Sequence, residues 1–173
     1  MSPAADNGPA FEAMQLERLI REISPRRVLL MGPAGEVLLA DYVRRHPDCQ
    51  VETMAPEELP EDFGDERFDL AFVSHTLERL DKRQGEELVA RLRDLLCRRL
   101  LLLVPIGPGW PGHRSVWEET DLLGLGLVHL GGYRYKGRPV HLYGYDIATY
   151  KTTPDWLNNR FWANPELFDK HWW

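Results

Sequence analysis

The sequence predicts an α/β protein, a three-layer sandwich with a mostly parallel sheet that ends in an antiparallel hairpin. Three observations predict it. Short runs at residues 28–31, 68–73 and 100–104 are apolar on both faces, as strands covered by helices on both sides must be. Helix-period segments stand between those runs, the alternation expected of a parallel sheet. Two later strand-like segments meet at Lys136-Gly137, a pair suited to a tight hairpin turn.

The elements follow in order. Residues 11–23 carry Leu16, Leu19, Ile20 and Ile23 on one helical face, and Ser24-Pro25 stops the helix. The strand at 28–31 runs into the turn Gly32-Pro33-Ala34-Gly35. A helix over 36–45 then presents Val37, Leu38, Tyr42 and Val43 until His46-Pro47-Asp48 breaks it. Residues 51–54 form the second strand. Residues 55–66 are acidic, contain two prolines and predict a loop with at most one helical turn. After the strand at 68–73, residues 82–97 predict an amphipathic helix with Leu88, Leu92, Leu95 and Leu96 on one side. Ser115-Val116-Trp117-Glu118 matches a capping box that opens a helix ending near Gly124. Residues 127–133 and 139–148 form the hairpin. Thr153-Pro154 and Asn164-Pro165 predict two short helices at the end. The expected division is a domain over 10–150 and an aromatic-rich tail over 151–173.

Composition narrows the function classes. The chain has 173 residues, 43% hydrophobic and 28% charged, enough for one domain with a real core. A formal net charge of -6 argues against a phosphate-backbone binder, so no nucleic-acid partner is expected. The longest apolar run, residues 100–106, is too short to span a bilayer, and residues 1–10 lack the pattern of a signal peptide. Cys49 and Cys97 have no framework spacing and suit a reducing compartment. The expectation is a cytoplasmic protein without a membrane partner. His46-Pro47-Asp48-Cys49 has no second ligand pair, so no metal is expected. No G-x-S-x-G elbow and no P-loop is present.

Three segments carry a family resemblance. Val28-Leu29-Leu30-Met31-Gly32-Pro33-Ala34-Gly35 joins a first strand to a glycine-containing loop. Arg67-Phe68-Asp69-Leu70-Ala71-Phe72-Val73-Ser74-His75-Thr76-Leu77-Glu78-Arg79-Leu80 has the pattern of a later strand and its following turn. Asp121-Leu122-Leu123-Gly124-Leu125-Gly126-Leu127 leads into the terminal hairpin. In this order they resemble the class I S-adenosylmethionine-dependent methyltransferases, over roughly residues 10–148. The resemblance implies a Rossmann-like fold and S-adenosylmethionine as cofactor, bound near Gly32, Ala34, Gly35, Met54 and Ser74 at the carboxyl ends of the strands. It implies methyl transfer to a small molecule or a protein, with His75 as a general base and Trp110 and His113 as substrate contacts. His75 also fits a hydrogen-bonded turn histidine, and Asp69 fits the strand's architecture. No Asn-Pro-Pro-Tyr-like motif follows the strand, which argues against base amino groups as substrates.

The sequence departs from the family pattern in definite places. The family's first-strand acid falls at Leu30, and Glu36 replaces a loop glycine. The second strand ends at Met54-Ala55, where the family has the acid that binds the ribose; Glu52, Glu57 and Glu58 lie nearby. Only 37 positions separate Gly32 from Asp69, so the family's third strand is expected to be reduced or missing. These departures leave a second reading open, a non-catalytic Rossmann-like binding or assembly module that has lost the cofactor site. Trp156, Phe161, Trp162, Phe168, Trp172 and Trp173 crowd the tail. They fit packing on the chain's own sheet, a lid, or a surface for a homodimer or a protein partner.

Overall fold

The computed structural model describes residues 9–61 and 66–150. The tail over 151–173, with its expected helices and aromatic cluster, lies outside the described residues. Helix α1 spans Pro9–Ile23 and β1 spans Arg27–Met31. Then follow α2 (Ala34–Arg45), β2 (Gln50–Thr53), β3 (Leu70–Ser74), α3 (Lys82–Arg91) and β4 (Arg99–Pro105). The chain continues with α4 (Glu119–Gly124), β5 (Val128–Tyr135), β6 (Arg138–Asp146) and the short α5 (Ile147–Tyr150). The sheet order is β2-β1-β3-β4-β6-β5. β1 to β4 are parallel, and β6 pairs antiparallel with both β4 and β5.

Strand alternation builds two cores from one sheet. Val28, Leu30, Phe72 and Leu101 face α1 and α2, meeting Leu16, Ile20, Leu39 and Tyr42. Leu29, Met31, Val73 and Leu102 face the other way, against Leu88 and Val89 of α3, Leu92 just after it, and Leu122 of α4. The three-layer sandwich is therefore present. In the hairpin, Lys136 and Gly137 both take positive φ, 49° and 77°, the two-residue turn whose twist matches the strands.

The expectation of a reduced or missing third strand is met among the described residues. Among the described residues, β2 and β3 are linked without any further strand; there is one 3-10 turn, Pro56–Glu58. The segment still covers hydrophobic surface, because Leu59 is buried in the α3-side core. Arg91 on α3 pins it by donating to the carbonyls of Leu59 and Pro60 at 3.4 and 2.8 Å.

Three expectations need correction. The helix over 82–97 is not uniform: Leu92–Leu96 forms a π turn, closed by the Cys97 N–H donating to the Leu92 carbonyl at 2.9 Å. The wider turn rotates Leu95 outward to 42% exposure while Leu92 and Leu96 are fully buried. Ser115 does not cap a helix; α4 starts at Glu119, and Asp121 accepts from the Glu118 N–H at 2.8 Å. Phe68 lies outside β3, making a lone bridge to Cys97. No helix among the described residues is long and apolar enough to cross a membrane.

If Leu59 substitutes for the missing cover, Leu59→Ala lowers the unfolding free energy by about 2–5 kcal/mol in urea denaturation. A change under about 0.5 kcal/mol contradicts this role.

Candidate functional site

The carboxyl ends of β1 and β3 meet at Gly32 and Ser74. Gly32 has φ +85°, and a Cβ built there would stand 1.7 Å from the Ser74 carbonyl oxygen. Only glycine lets the turn lie this close to β3. Ser74 is fully buried, and its Oγ accepts the Ala34 N–H at 3.2 Å. Gly35 packs on the sheet: a Cβ there would meet Leu30 Cδ2 at 2.9 Å and Phe72 Cδ1 at 3.1 Å. Gly32, Ala34, Gly35 and Ser74 thus come together, and contacts within the protein account for both glycines and the serine.

Of the neighbouring acids, Glu52, Glu58 and Asp69 have partners within the protein, while Glu36 and Glu57 are exposed. Leu30 is 1% exposed within the α2-side core. Met54 donates its N–H to the Leu30 carbonyl at 3.0 Å, and its side chain packs against the α3-side core. Glu52 Oε1 accepts from Arg27 Nε and Nη2 at 3.0 and 2.9 Å, with the Arg27 guanidinium over Phe68. Glu58 accepts the Ala55 N–H at 2.7 Å. Glu36 is exposed in the first turn of α2, where a negative charge favours the helix start. Asp69 accepts from the N–H groups of Arg26 and Arg27 at 2.9 and 3.0 Å, the architectural role expected.

His75 follows directly. It takes φ 50°, uncommon for a residue with a side chain and a pointer to local constraint. Thr76 Oγ1 donates to the Ser74 carbonyl at 2.9 Å and tightens the turn. The strained bend sets His75 Nδ1 3.3 Å from Glu78 Oε1. The Glu78 side chain is only 4% exposed, whereas that of His75 is 43% exposed. Glu78 Oε2 is buried without a hydrogen-bond partner among the described residues. Sequence reasoning missed Glu78; its signal was the spacing of three residues from His75 within one turn.

The loop after β4 is fastened to this turn. The Glu78 carbonyl accepts the Arg114 N–H at 2.8 Å, and Ser115 Oγ donates to the Leu77 carbonyl at 3.0 Å. Trp117, fully buried, donates its indole N–H to Ser115 Oγ at 3.0 Å. Trp110 and His113 stack on each other with ring centroids 5.5 Å apart and planes 7° from parallel. Trp110 also donates to the Ile106 carbonyl at 3.1 Å. The two expected substrate contacts therefore form one aromatic pair, in the loop that Arg114 ties to the His75 turn.

Other reactive groups are accounted for by packing. Burial pushes the Cys97 thiol up to about 12, and its Sγ donates to the Leu92 carbonyl. His46 stacks on Tyr42 and contacts its carbonyl at 2.9 Å. No group of three or more potential metal ligands occurs among the described residues.

Comparisons with known proteins bear on the fold. A family model described as "Family of unknown function (DUF6231)" matches residues 11–173. No curated protein matches the sequence. Among solved structures, the methyltransferase domain of a bacterial Hen1 (CtHen1-C) is similar at TM-score 0.54 and 13% identity, over 79% of this chain and 96% of that one. The N-terminal domain of EvdMO1, solved with S-adenosylhomocysteine bound, is similar at TM-score 0.52 and 12% identity, over 78% and 80%. An O-methyltransferase family protein from Burkholderia thailandensis is similar at TM-score 0.49 and 16% identity, over 79% of this chain. The chain spans 57% of that protein's length. The fold is that of the class I methyltransferases.

Two outcomes test the site's construction. Gly32→Ala places a methyl group against backbone and lowers stability by about 2 kcal/mol or more in denaturant titration; a neutral result contradicts the close contact. The raised Cys97 pKa means that, above pH 9, the unfolded chain loses a proton the folded chain keeps. Stability therefore falls as pH rises from 9 towards 12, by up to about 1.4 kcal/mol per unit. Cys97→Ala flattens that part of the profile, and an unchanged profile contradicts it.

Proposed function

The chain belongs to the DUF6231 family, and on that footing we propose that it is a methyltransferase-like binding protein that has given up the usual S-adenosylmethionine cradle. One observation carries the reading: hydrocarbon occupies both positions where the family resemblance implies a carboxylate. Leu30 stands 1% exposed in the core, and Met54 turns its side chain into the opposite core. Glu52, the nearest acid on the same strand, is held by Arg27. The sulfonium, amine and ribose hydroxyls of the cofactor meet no carboxylate there, so these residues do not fit it in the family's manner. Gly32 and Gly35 add no support for a cofactor, because packing alone requires them. The working edge is then the His75–Glu78 turn and the Trp110–His113 pair, which suit a small-molecule ligand; the acidic chain does not suit nucleic acid.

A second reading, methyl transfer from S-adenosylmethionine to a small molecule or a protein, is favoured by the His75–Glu78 pair. A partly exposed imidazole backed by a buried carboxylate is built to accept a proton from an attacking group. The bound S-adenosylhomocysteine of the EvdMO1 domain supports the same reading through the shared fold alone.

Isothermal titration of the full chain with S-adenosylmethionine and with S-adenosylhomocysteine separates the two. The first reading expects no saturable heat up to millimolar ligand with the protein folded. Micromolar binding of either compound overturns it and makes methyl transfer the function.

A further inference from the structure

An apolar groove opens on the side of the sheet opposite α3, between α1 and the terminal hairpin. Its cavity volume is about 390 Å³. Leu19 and Ile23 of α1, Leu101 of β4, and Val128 and Leu130 of β5 give it its apolar surface, and Glu22 and the Arg99–Asp146 ion pair also line it. Gly144 on β6, paired with Leu101 on one side and Val128 on the other, has no side chain of its own, and Leu130 leans over it: a Cβ there would stand 2.6 Å from Leu130 Cδ1. Val128 is 61% exposed, a large apolar side chain at the edge of the groove.

The chain itself leads out of this groove. Thr149, in α5, lines it, and residues 151–173 continue from there. That segment holds Trp156, Phe161, Trp162, Phe168, Trp172 and Trp173. Trp156 follows Thr149 by a stretch that spans on the order of 20 Å when extended, enough to return along the groove it has just left. Three basic residues, Lys151, Arg160 and Lys170, stand against three acidic ones, Asp155, Glu166 and Asp169, so the segment carries no net charge. The family match runs through residue 173, which makes the segment part of what the family shares.

We propose that the groove between α1 and the hairpin is the seat of this chain's own C-terminal segment, with its aromatic side chains covering Leu101, Val128 and Leu130. Short helices far from a core do not persist alone, whereas aromatic anchors in an apolar groove bury large areas. This occupant is independent of the proposed function, because the groove lies on a face of the sheet and not at its carboxyl edge.

Limited trypsin digestion of the full chain, followed by mass spectrometry, tests it at Arg160 and Lys170. Cleavage at both is expected to be slow in the unaltered protein and at least tenfold faster in Val128→Asp. Val128→Ser, which removes only the apolar wall, moves cleavage in the same direction. Val37→Asp, the same change at an exposed position on α2, leaves it slow. Rapid cleavage in the unaltered chain overturns the proposal, as do equal rates in Val128→Asp and Val37→Asp. Protection that disappears on dilution also overturns it, because a second copy would then be the occupant.

Discussion

The turn after β1 rests directly on the carbonyl of Ser74, and most of the carboxyl edge is arranged around that contact. The closeness of the two backbones requires glycine at residue 32 with positive φ. It brings the Ala34 N–H onto Ser74 Oγ and starts α2 at Ala34. The same Ser74 carbonyl accepts from Thr76, so the chain leaves β3 through a tight bend. That bend holds His75 in a left-handed conformation beside the buried Glu78. Glu78 in turn receives the β4–α4 loop through its carbonyl. One backbone approach therefore propagates, bond by bond, from the first strand to the loop that carries Trp110 and His113.

The shortened connection between β2 and β3 needs its own compensation. Removing a strand and a helix from a doubly wound sheet uncovers apolar surface, which must be covered again. Leu59 does this with a single side chain, and Arg91 fastens the segment by donating to two of its carbonyls. Trp117 plays a similar part on the same face of the sheet. Its ring lies where a Cβ on Gly85 would come within 2.5 Å, and Lys82 sits over it at 4.0 Å. A small domain is thus closed by a few large or well-anchored side chains in place of additional elements.

Much of the fold was legible in the sequence, because doubly buried parallel strands and amphipathic helices leave strong periodic signals. Val28 to Met31, Leu70 to Val73 and the Lys136-Gly137 turn are read directly, and the 37-residue spacing foretold the missing strand. What was not legible depends on contacts between distant segments. The π turn at Leu92–Leu96 exposes Leu95 although the helical pattern buries it. Ser115 resembles a helix cap, yet its hydroxyl is taken by Leu77 and Trp117. At the site, the cluster Gly32, Ala34, Gly35 and Ser74 and the position of His75 at the end of its strand were visible. The buried partner Glu78 was not, since the burial of a glutamate cannot be read from its immediate neighbours. Nor could the sequence show that Gly32 lies against the Ser74 carbonyl, a contact that by itself requires glycine there.

The most direct test is amide chemical-shift mapping of the isotope-labelled full chain during titration with S-adenosylhomocysteine. If packing alone occupies the carboxyl edge, the amides of Gly32, Ala34, Gly35, Glu36, Met54 and Ser74 stay where they are up to millimolar ligand. Saturable shifts confined to those residues would contradict this and show that a cofactor enters despite Leu30 and Met54.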